Sequence, residues 1–479
     1  MSPKKANTPK HNLRTLPVLA AILLCCSLSC ATYDENSEAK PSETVQAPAR
    51  SVWEVVLQTR QLGPLVTYLE IERSDQALSG HSVSGVRPIV ANLPQTQGKG
   101  LHLENHLFAF SATPSSPGSK VFQGKLTAPW IEEGLELGLA DDELSGSFEH
   151  WLLGGTISGT RVDSVRKARN FESIVDTLDS VVSQRIFNPK LLATESYQTF
   201  RKNLGAIAKN AMDDLDLILG FHLAWNDTPF SHFQLRRSDL SAENLFASFD
   251  NMNVGYEAAR LKMEGKRAIL RVDTMMGNDT IEQIKAAFQA IDHAGATQLI
   301  IDLRGNGGGA FAVKPLVEHV IDKPLTSGYF LSQQWAVNHD APPTKGEVER
   351  TEAWQGWSIS SFWHTVQERP IMKLEFTPAA PNFDGPVYVL VDRWSASATE
   401  IAADAFRSSG VAVLVGETTA GELLSQSFFD LSEGYLIALP VADYYSSKHG
   451  RIEGRGVTVT IPCPAEEALE VAKRELQID

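Results

Sequence analysis

Cysteine is nearly missing from the body of this 479-residue chain: Cys25, Cys26 and Cys30 crowd the first thirty positions, and only Cys463 lies beyond them. A single thiol has no partner within its own fold, so no disulfide framework holds it. Positive charge is also short, with 43 Lys and Arg against 58 Asp and Glu and a formal charge of −15. That excess of acid argues against nucleic acid or an anionic membrane surface as a main partner. After the first thirty residues there is no apolar run of membrane length. His81, His102, His106 and His150 have no metal-type spacing.

What is present begins with a leader. MSPKKANTPKHNLR carries Lys4, Lys5, Lys10 and Arg14 without an acid, and LPVLAAILLCCSLSC adds an apolar stretch too short for a comfortable span. This is the layout of an export signal, residues 1–29. Its removal takes four positive charges and moves the formal charge from −15 to −19. The arrangement resembles a bacterial lipoprotein, with Cys30 behind the small Ser29 as the lipidated residue, although Ser27 stands where Leu is normal. Membrane association is expected only through that anchor. Residues 30–50, polar and rich in Ser, Pro, Glu and Ala, read as a flexible tether.

The apolar pattern divides the remainder into three. Over 51–165, short alternating runs such as LVTYLEIER and LELGLADDELSGSF predict an antiparallel β-domain, a small sandwich or barrel with no chemistry of its own. Over 166–250 the spacing changes to three and four, as in FESIVDTLDSVVSQRIF, which predicts packed helices. Over 251–479 strands and helices alternate: RAILRVD, then a helix capped by Asn278, Asp279 or Thr280 and stopped by Gly295, then the buried strand TQLIIDL, then GPVYVLVD, SATEIAADAFRSSG and VAVLVGE. That alternation implies an α/β core with crossover helices. Between Ile321 and Phe383 the period is lost and Trp335, Trp354, Trp357 and Trp363 crowd together, as a binding wall, a lid or an insertion that buries its own aromatics.

Two stretches carry chemistry. In IIDLRGNGGGAF, Gly305, Gly307, Gly308 and Gly309 follow a buried strand, where a backbone nest can hold an oxyanion or a phosphate. Neither the Walker order nor the G-x-G-x-x-G order is present, so nucleotide binding is weakly supported. In VDRWSASATEI, Ser395, Ser397 and Thr399 offer three hydroxyls at a strand–helix corner. With Ser397 at the corner, the Ala398 N–H becomes a helix-start donor. Together with the glycine turn it would form an oxyanion hole.

DLRGNGGG, VLVDRWSASATEI, VLVGETTAG and GRIEGRGV resemble, in order and spacing, the C-terminal processing (tail-specific) serine peptidases and the related tricorn protease core. The resemblance covers about the last 230 residues. It implies peptide-bond hydrolysis on a crotonase-like spiral α/β core, here preceded by a helical bundle and the antiparallel β-domain. It places the nucleophile on Ser397, and the oxyanion hole expected from the two corners falls on Ala398, Gly307 and Gly308. The basic Lys of the family's Ser–Lys branch is missing: Glu422 stands there, and a carboxylate cannot replace a desolvated amine as the base. The tricorn-like branch implies instead His232 as general base, with Ser231 orienting it and Glu453 bonded to Ser231. His449 and His222 are rival bases that fall on no motif. The PDZ domain typical of processing peptidases has no room between Asp239 and Lys266.

These residues imply an exported serine peptidase acting on peptides or unfolded chains without metal or cofactor; the sequence does not give its oligomeric state. A non-catalytic ligand- or peptide-binding lipoprotein on the same scaffold, or another acyl-transfer enzyme, remain as alternatives.

Overall fold

The computed structural model describes residues 49–93, 106–128, 131–149, 153–225 and 228–478. The leader, Cys30, His102, His150 and nearly all of the tether lie outside them.

Eight strands follow one another antiparallel: β1 (Ala49–Thr59), β2 (Gly63–Arg73), β3 (Leu78–Ser82), β4 (Ala109–Pro114), β5 (Val121–Ala128), β6 (Ile131–Ala140), β7 (Glu143–Phe148) and β8 (Gly155–Val162). β8 pairs back onto β1, with Val55 opposite Gly159, so the sheet closes into a barrel. Period-two sequence buries alternate residues; β3 alternates strictly between buried and half-buried. Inward-facing Val55, Leu57, Leu69, Phe122, Leu137 and Ile157 fill the interior, as an eight-stranded barrel requires. A short helix, α1 (Arg87–Val90), follows β3.

The helical layer holds α2 (Phe171–Arg185), α3 (Glu195–Asn210) and α4 (Asp214–Trp225). Asn170 and Thr194 cap α2 and α3 by accepting from Ser173 N–H and Tyr197 N–H. α4 is buried along almost its whole length, which explains why its sequence lacks an amphipathic stripe. Barrel and helices share one continuous apolar cluster, joined by Phe230, Phe233 and Leu235. β9 (Gln234–Arg237) and α5 (Ala242–Asp250) lead onward.

The C-terminal part contains two six-membered layers of strands. The first runs β10 (Ala259–Glu264), β11 (Arg267–Val272), β12 (Gln298–Asp302), β15 (Val387–Val391), β16 (Ala412–Gly416) and β20 (Ile461–Pro462); only the β10–β11 pair is antiparallel. α6 (Asn278–His293), α7 (Val313–Glu318), α11 (Ala398–Ser409) and α12 (Ala468–Ile478) belong to this layer. The second is antiparallel, with β14 (Ile371–Phe376), β13 (Leu325–Ser332), β18 (Tyr435–Ser446) and β17 (Leu424–Asp430) in that order, plus β9 and β19 (Gly450–Arg451) on β18. α8 (Gln333–Asn338), α9 (Lys345–Arg350) and α10 (Ile359–Glu368) lie between β13 and β14.

Two details differ from the sequence expectation. α6 is capped by Gly277, whose φ of 90° starts the helix, while the Asp279 carboxylate accepts instead from Val254 N–H and Gly255 N–H across the loop. The segment between Ile321 and Phe383 is not irregular, and of its tryptophans only Trp354 and Trp357 meet, with ring centres 5.2 Å apart. Trp335 packs with Tyr329 and Ile371, Trp354 and Trp357 with Phe311 and Phe376, and Trp363 with Phe246 and Phe428. Tryptophans scattered in sequence join whichever sheet face their own element covers.

Candidate active site

Two strand–helix corners of the first sheet meet where β12 and β15 end. β15 is apolar and buried throughout, then turns through 392–397 into α11. The turn is stapled to its neighbour: Ser395 Oγ donates to the Leu303 carbonyl at 2.9 Å, Ala396 N–H to the Asn306 carbonyl at 3.0 Å, and Gly305 N–H to the Asp392 carboxylate at 2.9 Å. Ser395 is thus a turn staple with no exposure, and Thr399 is equally buried. Ser397 is the half-buried hydroxyl of the three. Its φ of 55° and ψ of −123° are sparsely populated for a side-chain-bearing residue, a strain of about 1–3 kcal/mol that the surroundings must hold. Its N–H donates to the Glu422 carbonyl at 3.0 Å and to the Glu400 carboxylate at 3.2 Å.

The glycine turn lies directly against this corner. A Cβ on Gly308, at φ 95°, would stand 2.7 Å from Ser397 Cβ and 2.9 Å from Ala398 N, so only glycine fits. The expected donor set needs one correction. Gly308 N–H is spent on Asn306 Oδ1 at 2.9 Å, within the turn, and its carbonyl accepts from Met275 N–H. Gly308 therefore shapes the nest rather than donating into it. Ala398 N–H, at the first position of α11, has no intrahelical acceptor.

The upstream pair comes to the same place. Glu453, 4 % exposed, accepts from Ser231 N–H at 3.0 Å, Ser231 Oγ at 3.1 Å and Leu423 N–H at 2.8 Å. Burial raises its pKa and these donors oppose the rise. Ser231 Oγ stands 2.7 Å from His232 Nδ1. A serine has one hydroxyl proton; given to Glu453, it leaves Oγ an acceptor, so Nδ1 carries the ring proton and Nε2 a lone pair. His232 is buried at φ 58°, and burial pushes its pKa down to about 4, which keeps the ring neutral. Nε2 is buried without a partner among the described residues, so the hydrogen bond to Ser397 is not made in this conformation. The link to the Ser397 corner is a single peptide unit. The Glu422 carbonyl accepts from Ser397 N–H, and the N–H of the same peptide, on Leu423, donates to Glu453.

Glu422, at the position of the missing Lys, contributes its backbone to this arrangement. The sequence reading passed over Glu400. It is fully buried and accepts from Thr419 Oγ1 at 2.6 Å, Gly421 N–H at 2.8 Å and Glu422 N–H at 2.9 Å, besides Ser397 N–H. Burial pushes it up to about 7 against those donors. The Ser-x-x-Glu spacing from Ser397 is a capping-box pattern that could have revealed it. Of the rival bases, exposed His449 faces Arg407 and Lys448, and Lys448 bonds Ser408 at the far end of α11 from Ser397. His222 is buried in α4 beside Phe221. No cluster of three or more His, Cys, Asp or Glu suited to a metal exists among the described residues.

Residues 266–463 match the family model described as Peptidase family S41. The span includes Ser397, the glycine turn and Glu453; Ser231 and His232 lie upstream. The chain is similar to a carboxyl-terminal-processing protease of Picosynechococcus sp., 28 % identical over 215 residues, covering 45 % of this chain and 43 % of that one. It is also similar to a tail-specific protease of Haemophilus influenzae, 27 % identical over 227 residues, covering 45 % and 28 %. Among solved structures, a lipoprotein from Streptococcus agalactiae aligns at a TM-score of 0.44 and 12 % identity, covering 66 % of this chain and 99 % of that one. The chain spans less than half the length of the curated relatives it matches. Over residues 266–463 this chain carries a peptidase family S41 domain.

Proposed function

We propose that the protein is an exported serine peptidase that hydrolyses peptide bonds of peptides or unfolded chains. Its two-layered α/β core would be of the crotonase-like spiral kind. Ser397 attacks the carbonyl; His232 Nε2 takes the hydroxyl proton and returns it to the leaving amine. Ser231 and Glu453 hold the imidazole in the tautomer that leaves Nε2 free and stabilise its protonated form. The Ala398 N–H and a donor from Gly307 face the developing oxyanion. Export, with a lipid on Cys30, completes the reading. It rests on the leader alone, and among the described residues no helix is long and apolar enough to cross a membrane.

One observation carries the proposal. Glu453 binds, with one carboxylate, both the serine beside His232 and the peptide that holds the Ser397 backbone. A solvated turn charge has no reason to do so while 4 % exposed. The test is labelling of a soluble form, residues 31–479, with a fluorophosphonate probe beside Ser397→Ala and His232→Ala. Labelling of the wild type alone supports the assignment. An unlabelled wild type favours a ligand-binding protein on the same scaffold, and labelling that survives Ser397→Ala means another serine is the nucleophile.

A further inference from the structure

The Ser231–His232 segment is flanked by elements tied to the N-terminal barrel. α4 leads into it and β9 leads out of it. Asp214 opens α4, and its fully buried carboxylate accepts from four separate parts of the fold. They are Val66 N–H of β2 at 2.9 Å, Arg169 Nε ahead of α2 at 2.8 Å, Arg237 Nη1 of β9 at 3.1 Å, and the Tyr435 hydroxyl of β18 at 2.6 Å. A second tie comes from the tip of the β1–β2 hairpin. Arg237 N–H donates to the Leu62 carbonyl at 2.8 Å, and Gly63, at φ 78°, lies so close that a Cβ there would stand 2.1 Å from the Arg237 carbonyl oxygen. β9 starts two residues after His232, whose own φ of 58° persists only where its surroundings over-determine it.

We infer that Asp214 and the β1–β2 hairpin are positioning elements for His232. The barrel fixes α4 against β9, and so holds the strained segment in register with the Ser397 corner. The kinetic consequence rests on the peptidase reading; the structural claim does not. Removing a buried charge that pairs two guanidiniums, or forcing a methyl against the β9 backbone, shifts the base without touching it. A displacement of about 1 Å at a catalytic group costs on the order of 100-fold in rate.

The test uses the full chain carrying Asp214→Asn or Gly63→Ala. Three quantities are read: the thermal midpoint, the kcat and KM of peptide hydrolysis, and backbone hydrogen exchange over residues 228–237 and 390–400. Both variants are expected to stay folded, with kcat down by about 10- to 100-fold and KM within about twofold. Exchange rises over 228–237 and not over 390–400. If Asp214→Asn does not fold, Gly63→Ala, outside the buried ion cluster, carries the test. A folded Gly63→Ala with wild-type kcat and wild-type exchange overturns the inference. Unfolding of both variants also counts against it, because a global role would then explain the loss. A wild type that hydrolyses nothing sinks the peptidase reading alone; exchange over 228–237 then decides the positioning claim, raised in support or unchanged against.

Discussion

His232 gains its chemical character from where it is buried. Its ordinary value of 6.5 falls to about 4 because burial takes the charged ring out of water. Between those values an exposed histidine is protonated and this one is neutral. As a general base in the free enzyme it should give a kcat/KM profile whose acid limb lies near pH 4; a limb near 6.5 would point to an exposed histidine. The stability sign follows the same window. The folded form binds fewer protons there than the unfolded chain, so this contribution is lost as pH falls from 6.5 through about 4. In the proposed mechanism Glu453 fixes the tautomer. In Glu453→Gln an amide N–H would donate to Ser231 Oγ, whose own proton then turns to Nδ1, and the ring proton moves to Nε2. A loss of kcat on the order of 10⁴-fold is expected with the fold retained, since a wrong tautomer disables the base. Burst labelling and circular dichroism of that variant check both halves.

At the scale of elements, the Ser397 corner and the glycine turn act as one unit because their backbones interlock. Gly308→Ala would bring a methyl to 2.6 Å from the Ala396 carbonyl oxygen and must also hold φ 95°. The corner has to move, and the Ala398 N–H moves with it. The expected result is a fall in fluorophosphonate labelling of about 10²–10³-fold, as when an oxyanion donor is lost. Wild-type labelling would show that the turn has slack which its contacts do not suggest. The elements that made this corner were legible because their signals are local. RAILRVD, TQLIIDL and GPVYVLVD became β11, β12 and β15, and the periodic runs became α6 and α11. Gly277 was missed as the α6 cap because Asp279, the expected kind of capping residue, is drawn to Val254 and Gly255 in a loop that sequence spacing does not reveal.

Across the whole molecule the barrel and the helices share one apolar core. Phe200 of α3 lies edge-on to Phe221 of α4 and to Phe233 beside His232, with ring centres 5.5 and 5.6 Å away, inside the core shared with the barrel. Phe200→Ala should cost about 3–5 kcal/mol, and barrel and helices should lose structure in the same thermal transition. Separate transitions would contradict a common core. The same arrangement shows how far sequence reaches. By itself the sequence determined the strand period of residues 51–165, the helices that follow, and the corner bearing Ser397, because periodicity and turn chemistry need only neighbouring residues. A resemblance in motif order picked out Ser231, His232 and Glu453. Only the tertiary structure decided that Glu453 reaches Ser231 across 222 residues, that Gly308 spends its N–H within the turn, and that Asp214 joins four separate parts of the fold behind His232. Which polar groups are already satisfied depends on partners far away in the chain, and a buried group's protonation follows from them.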